Sequence, residues 1–112
     1  MQDVAVLVAD DHPVVRHRVA ELITAEPGFA VVAEAADGTQ TMASARRHGP
    51  GLVVLDLRLP DVSGHEVLQN LQRLPSTPRV VVFTLDSSAV ALRSAIDAGA
   101  TGYVLKLSLI HI

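Results

Sequence analysis

Cysteine is absent from the 112 residues. That excludes a disulfide framework, a thiolate metal site and a cysteine nucleophile, and it fits a reducing compartment. Positive charge is in short supply: nine Lys and Arg stand against twelve Asp and Glu, for a net charge of −3. With no basic stripe, these residues are not expected to bind nucleic acid by themselves. Long apolar runs are also missing. None approaches the roughly 20 residues that span a bilayer. The opening Met1-Gln2-Asp3 lacks the basic start of a signal peptide. A membrane is therefore not an expected partner, and the chain reads as soluble and cytoplasmic. Charged residues make up 19% against 49% hydrophobic ones, a balance that argues against wholesale disorder. There are no repeats, linkers or low-complexity segments, and this length suits one domain with one core.

What is present is a series of short apolar runs, each ended by a polar residue. Val4 to Ala9 ends at Asp10-Asp11, and Ala30 to Ala35 closes at Asp37-Gly38. Leu52 to Leu55 ends at Asp56, Arg79 to Phe83 at Thr84, and Tyr103 to Leu105 at Lys106. These runs are apolar at nearly every position, as expected of parallel strands covered on both faces. Helix-length segments lie between them. Pro13 to Ala25 opens with a proline suited to the first helical position and places Val15, Val19, Leu22 and Ile23 on one face. Thr39 to His48 is a weaker helix. Gly64 to Leu74 gathers Val67, Leu68, Leu71 and Leu74. Ser87-Ser88 can cap a fourth helix through Ala98, with Gly99 as its stop. The order is an alternation of strand and helix, with connections short enough for right-handed crossovers.

In open parallel sheets, ligands bind outside the carboxyl ends of the strands. Asp10, Asp11, Asp56, Thr84 and Lys106 all follow or end strands, so three carboxylates, a hydroxyl and an ammonium are expected on one edge. Clustered carboxylates repel unless a cation or proton intervenes, and oxygen ligands of this kind suit Mg²⁺. The chain has no GxxxxGK[ST] loop and no Gly-rich turn after the first strand, which excludes a P-loop and argues against a dinucleotide. Lys and Thr on the opposite flank suit a phosphoryl group. A central carboxylate beside Mg²⁺ can act as nucleophile toward a phosphoryl donor and form an acyl phosphate.

Asp10-Asp11, the segment Asp56-Leu57-Arg58-Leu59-Pro60 with Gly64, Thr84, and Gly102-Tyr103-Val104-Leu105-Lys106 resemble the receiver domain of bacterial two-component response regulators. The resemblance covers residues 4–106. The opening Val8-Ala9-Asp10-Asp11-His12-Pro13 and the ending from Gly99 to Lys106 are most similar to the NarL/FixJ subgroup. The resemblance implies a flavodoxin-like α/β fold: a doubly wound parallel five-stranded sheet of order 2-1-3-4-5. It implies Asp56 as phosphoacceptor, with Asp10, Asp11, Asp56 and the backbone carbonyl of Arg58 holding Mg²⁺. Thr84 and Lys106 would contact the phosphoryl group, and Tyr103 would be the switch residue that rotates with Thr84. The donor would be a sensor histidine kinase, and a homodimer is open to it. The subgroup carries a DNA-binding output domain after the receiver, so DNA would be reached only through such a C-terminal domain. Activity of the receiver itself would be limited to self-catalysed phosphotransfer and dephosphorylation.

Three departures stand out. Leu85 follows Thr84 where many receivers have a small residue, and Leu107 follows Lys106 where many have proline. After Lys106 the resemblance expects a fifth helix, but the chain continues Leu107-Ser108-Leu109-Ile110-His111-Ile112. This hexapeptide looks like one reading frame of a transposase-end adapter. Residues 1–106 therefore read as a receiver lacking its last helix, and 107–112 as a non-native-looking tail.

Each residue also has a bland reading. An acidic pair after a strand is commonly a solvated turn, Thr84 a β-former, Lys106 a surface charge and Tyr103 core packing. His12 is read as a surface histidine at a helix entrance, since Mg²⁺ prefers oxygen. Two other functions compete. An aspartyl phosphohydrolase needs a second acid two residues after its nucleophile, where this chain has Arg58, which cannot donate a proton at neutral pH. An interaction-only pseudo-receiver sits poorly with the intact acidic pair, Asp56, Thr84 and Lys106.

Overall fold

In a computed structural model, the structure describes residues 3–84, 93 and 99–105. Their elements run β1 (Val4–Ala9), α1 (Pro13–Thr24), β2 (Phe29–Ala35), α2 (Gly38–His48), β3 (Leu52–Leu55), α3 (Gly64–Gln72), β4 (Arg79–Thr84) and β5 (Gly102–Leu105). The strands form one sheet of order β2-β1-β3-β4-β5, and every pairing in it is parallel. The expected topology is the one found. The helix expected from Ser87 to Ala98 lies outside the described residues except for helical Arg93. Lys106 and the tail 107–112 lie outside them as well.

Period-two alternation sends neighbouring side chains of each strand to opposite faces, and both faces are apolar. Leu7 and Ala9 of β1, Val53 and Leu55 of β3, and Val80 and Val82 of β4 pack with Met42 and Ala45 of α2 and Val67, Leu68 and Leu71 of α3. Val6, Val8, Val54 and Phe83 face the other way, against Val19 and Ala20 of α1. On α1, Val15 and Ile23 pack at the margin of this second cluster. Ala20, absent from the expected apolar stripe, is one of the two buried residues of the helix.

β2 departs from the expectation of strands covered on both faces. It is an edge strand, and Phe29 and Val32 are each 38% exposed. Its pairing with β1 also slips: Val6 faces Val31, but Leu7 faces Ala33. Val32 is thus an extra residue, a bulge in a parallel pair. The slip puts Val31 with the α1 cluster and Ala33 and Ala35 with the α2–α3 cluster, although all three have the same parity in sequence.

Local chemistry sets the helix ends. Pro13 starts α1 at N1. Asp37 caps α2 by accepting the Gln40 N–H at 2.7 Å, and Gly49 ends it in the left-handed region at φ 54°. Ser63 caps α3 by accepting the Glu66 N–H at 3.2 Å. The helix stops at Gln72, two residues before the expected Leu74. Pro75 disfavours helical geometry at Leu74, and Leu74 instead packs at the edge of the core.

Candidate functional site

Strand register builds the site. Ala9 and Leu55 are partners in the β1–β3 ladder, and the ladder continues one step further. The Asp56 N–H donates to the Ala9 carbonyl at 2.9 Å, and the Asp10 N–H donates to the Ala35 carbonyl at 3.0 Å. Asp10 and Asp56 are therefore the first residues past adjacent strand ends. Both are nearly fully buried, at 1% and 2% exposure.

Burying carboxylates without compensation is costly, and short backbone turns supply part of that compensation. Asp10 Oδ1 accepts the His12 N–H at 2.9 Å, and Asp56 Oδ1 accepts the Arg58 N–H at 3.0 Å. Both are contacts between residue i and i+2, a geometry open to Asp. The Asp10 carbonyl accepts from Arg16 Nη1 at 2.9 Å, and Arg16 Nε donates to Glu34 Oε1 at 3.1 Å. Arg16 thereby ties α1 and β2 to the loop after β1. Asp11, one third exposed, stands at the mouth. His12 Nδ1 lies 2.9 Å from Asp11 Oδ1, without hydrogen-bond alignment, and 3.5 Å from Asp10 Oδ1. Ligand atoms of Asp10, Asp11, His12 and Asp56 all lie within 4.8 Å of one another.

The structure thus brings together Asp10, Asp11, Asp56 and the Arg58 backbone. Thr84 ends β4 on the same edge of the sheet, and Tyr103 pairs with Val82 within β5. The side-chain roles expected of Thr84 and Tyr103, and the position of Lys106, fall outside the described residues. His12, expected as a bystander, stands 67% exposed at the rim of the cluster. The donor set remains dominated by carboxylate oxygen, which fits a hard divalent cation such as Mg²⁺.

The loop between β3 and α3 closes one side of the site. Arg58 and Ser63 form an antiparallel bridge, and the Gly64 N–H donates to the Leu57 carbonyl at 3.0 Å. Asp61, at the tip of the loop, reaches across to α2. Its Oδ1 accepts the Gly38 N–H at 2.7 Å, and its Oδ2 accepts the Thr39 N–H at 3.0 Å and the Thr39 hydroxyl at 2.8 Å. The Gly38 N–H, followed by the Thr39 hydroxyl, holds the Asp61 carboxyl down at about 2. Sequence reasoning did not single out Asp61, because its partners stand more than 20 residues away.

Comparison with known proteins agrees with this architecture. The response regulator receiver domain family matches residues 6–109. The nitrate/nitrite response regulator protein NarP of Escherichia coli is 38% identical over 101 residues, covering 90% of this chain and 47% of NarP. Among solved structures, a LuxR-family two-component response regulator from Aurantimonas superposes with a TM-score of 0.87 at 34% identity, covering 98% of this chain and 81% of that one. The signal receiver domain of NarL from Mycobacterium tuberculosis gives 0.89 at 29% identity, covering 95% and 86%. This chain spans about half the length of the curated relatives it matches. No helix among the described residues is long and apolar enough to cross a membrane.

Proposed function

Because this chain belongs to the response regulator receiver domain family, we propose that it is a phosphoacceptor module charged on Asp56 by a sensor histidine kinase. The observation that carries the reading is the pairing of two buried carboxylates, Asp10 and Asp56, at adjacent strand ends beside Asp11. Receiver domains generally bind Mg²⁺ at an acidic pocket, and the carboxylate cluster fits that ion. Asp10, Asp11, Asp56 and the Arg58 carbonyl would hold it, and when bound it would supply positive charge that offsets the clustered carboxylates and the incoming phosphoryl group.

The chain's own groups do the rest. An Asp56 carboxylate oxygen attacks the phosphorus of a phosphohistidine. A P–O bond forms as the P–N bond breaks, and the imidazole leaving group takes up a proton. The Arg58 N–H, already directed at Asp56 Oδ1, orients the carboxylate for that attack. Thr84 donates its hydroxyl to the phosphoryl group, Lys106 pairs with it, and Tyr103 turns with Thr84 as the switch. The module works in the cytoplasm and reaches DNA through a C-terminal output domain as a transcription regulator. Arg58 in place of a second acid leaves it without phosphomonoesterase turnover.

Incubation with Mg²⁺ and acetyl phosphate, followed by intact-mass measurement, tests the reading. One added phosphate is expected on the native chain and none on Asp56→Asn. Equal labelling of the two overturns it.

A further inference from the structure

The loop from Leu57 to Ser63 is held to the core by partly buried side chains only. Leu57, Leu59 and Val62 are partly buried against the core, while Arg58, Pro60, Asp61 and Ser63 are exposed. A surface loop of this kind opens locally unless polar ties hold it. One such tie is the Arg58–Ser63 bridge, and Asp61 lies between the two arms of that bridge.

Asp61 makes an unusual set of contacts. Two of its donors, the N–H groups of Gly38 and Thr39, belong to the first turn of α2, where no helical carbonyl can reach them. The Thr39 hydroxyl is a third donor, and the Val62 N–H, 3.0 Å from Oδ1, is a fourth from within the loop. Since Asp37 already caps the Gln40 N–H, α2 is capped twice, once by its own N-cap and once from the loop that borders Asp56. Space reinforces the tie: a Cβ at Gly38 would collide with Val62 Cγ2 and stand 3.1 Å from Asp61 Oδ1.

We propose that Asp61 is a positioning residue for the Asp56 site: by fastening the β3–α3 loop to the N-terminus of α2, it holds the Arg58 peptide in place against Asp56. The Arg58 N–H meets Asp56 Oδ1 at 3.0 Å, and the Arg58 carbonyl belongs to the same stretch of backbone, so both its donor and its acceptor depend on where the loop is held. This rests on the reading of Asp56 as a Mg²⁺-dependent phosphoacceptor.

The test compares the full chain with Asp61→Ala and with Asp61→Asn, which keeps one oxygen acceptor. Amide exchange at Arg58 is followed by NMR without metal, and Mg²⁺ affinity by titration. Asp61→Ala is expected to speed Arg58 exchange and to weaken Mg²⁺ binding on the order of tenfold, as loss of an outer-shell support does. Asp61→Asn should fall between it and the native chain. A lower melting temperature with unchanged Arg58 exchange and unchanged Mg²⁺ affinity reduces Asp61 to a helix cap and overturns the proposal. If the native chain binds no Mg²⁺, the Asp56 reading falls and takes this one with it. That result is distinct from a native chain that binds Mg²⁺ and an Asp61→Ala chain that binds it equally well.

Discussion

Gly64 lies flush against the backbone of Leu57, the residue that follows Asp56. Its N–H donates to the Leu57 carbonyl at 3.0 Å. A Cβ in its place would stand 2.8 Å from the Leu57 carbonyl oxygen and Cδ2, and would overlap the Leu57 Cα. Backbone cannot swing aside as a side-chain tip does, so the first residue of α3 must be glycine for the loop to keep its path beside Asp56.

Gly64→Ala is accordingly expected to destabilise the fold by about 1–3 kcal/mol, the usual cost of overpacking. It should also displace the loop that carries Arg58. Chemical denaturation and the amide resonance of Arg58 report the two effects separately. An unchanged denaturation midpoint would mean that Leu57 yields.

The site carboxylates predict a linked effect of Mg²⁺ on stability. A ligand that binds the folded chain stabilises it by about 2.7 kcal/mol at one hundred times its dissociation constant. Thermal melts with and without Mg²⁺ should show that increase for the native chain and little of it for Asp11→Ala. An equal rise in both would remove Asp11 from the binding set. His12→Ala is expected to retain most of the increase, since the donors the cation prefers are oxygens.

Leu68 is fully buried between α3 and the sheet. Leu68→Ala should cost about 2–5 kcal/mol, with the value set by how far the rest of its core cluster closes the space. Equilibrium denaturation measures it, and a loss well below 1 kcal/mol would contradict the packing described.

Acid should expose the Asp61 tie. Its carboxyl sits at about 2 in the fold against an ordinary value of 3.8. A lowered folded-state value means that the stabilisation is fully present above about pH 4 and disappears as pH falls toward 2. Over that window the native chain should lose stability more steeply than Asp61→Asn, and the two should run parallel above pH 5. Parallel acid limbs would show that the hydrogen bonds from Gly38 and Thr39 contribute nothing.

The legible features were those encoded over short stretches. The runs Val4–Ala9 and Leu52–Leu55 are apolar throughout because β1 and β3 are central, and their bounds match the structure. Asp10 and Asp56 could be placed together because each ends such a run and parallel strands end on one edge. β2 was less legible. Phe29 begins it one residue early, and the Val32 bulge breaks the parity that a pattern assumes. Asp61 and Arg16 were missed for another reason. Each acts on backbone or charge far along the chain, Asp61 on Gly38 and Arg16 on Glu34, and no local signal marks a partner that folding alone brings near. His12 was legible as a helix-entrance residue, but its approach to Asp11 depends on a side-chain direction that sequence does not carry.

The bulge at Val32 also bears on how copies of this chain meet. An outer strand displays a row of unused N–H and C=O groups, an invitation for another molecule to continue the ladder. On β2 the inserted residue breaks the even spacing of that row near its middle and adds local twist. A straight strand from a second copy would match one half of β2 and fall out of step with the other. The surplus residue thus works against fibre-like growth on the β2 side of the sheet, where an even ladder would otherwise be open to continuation.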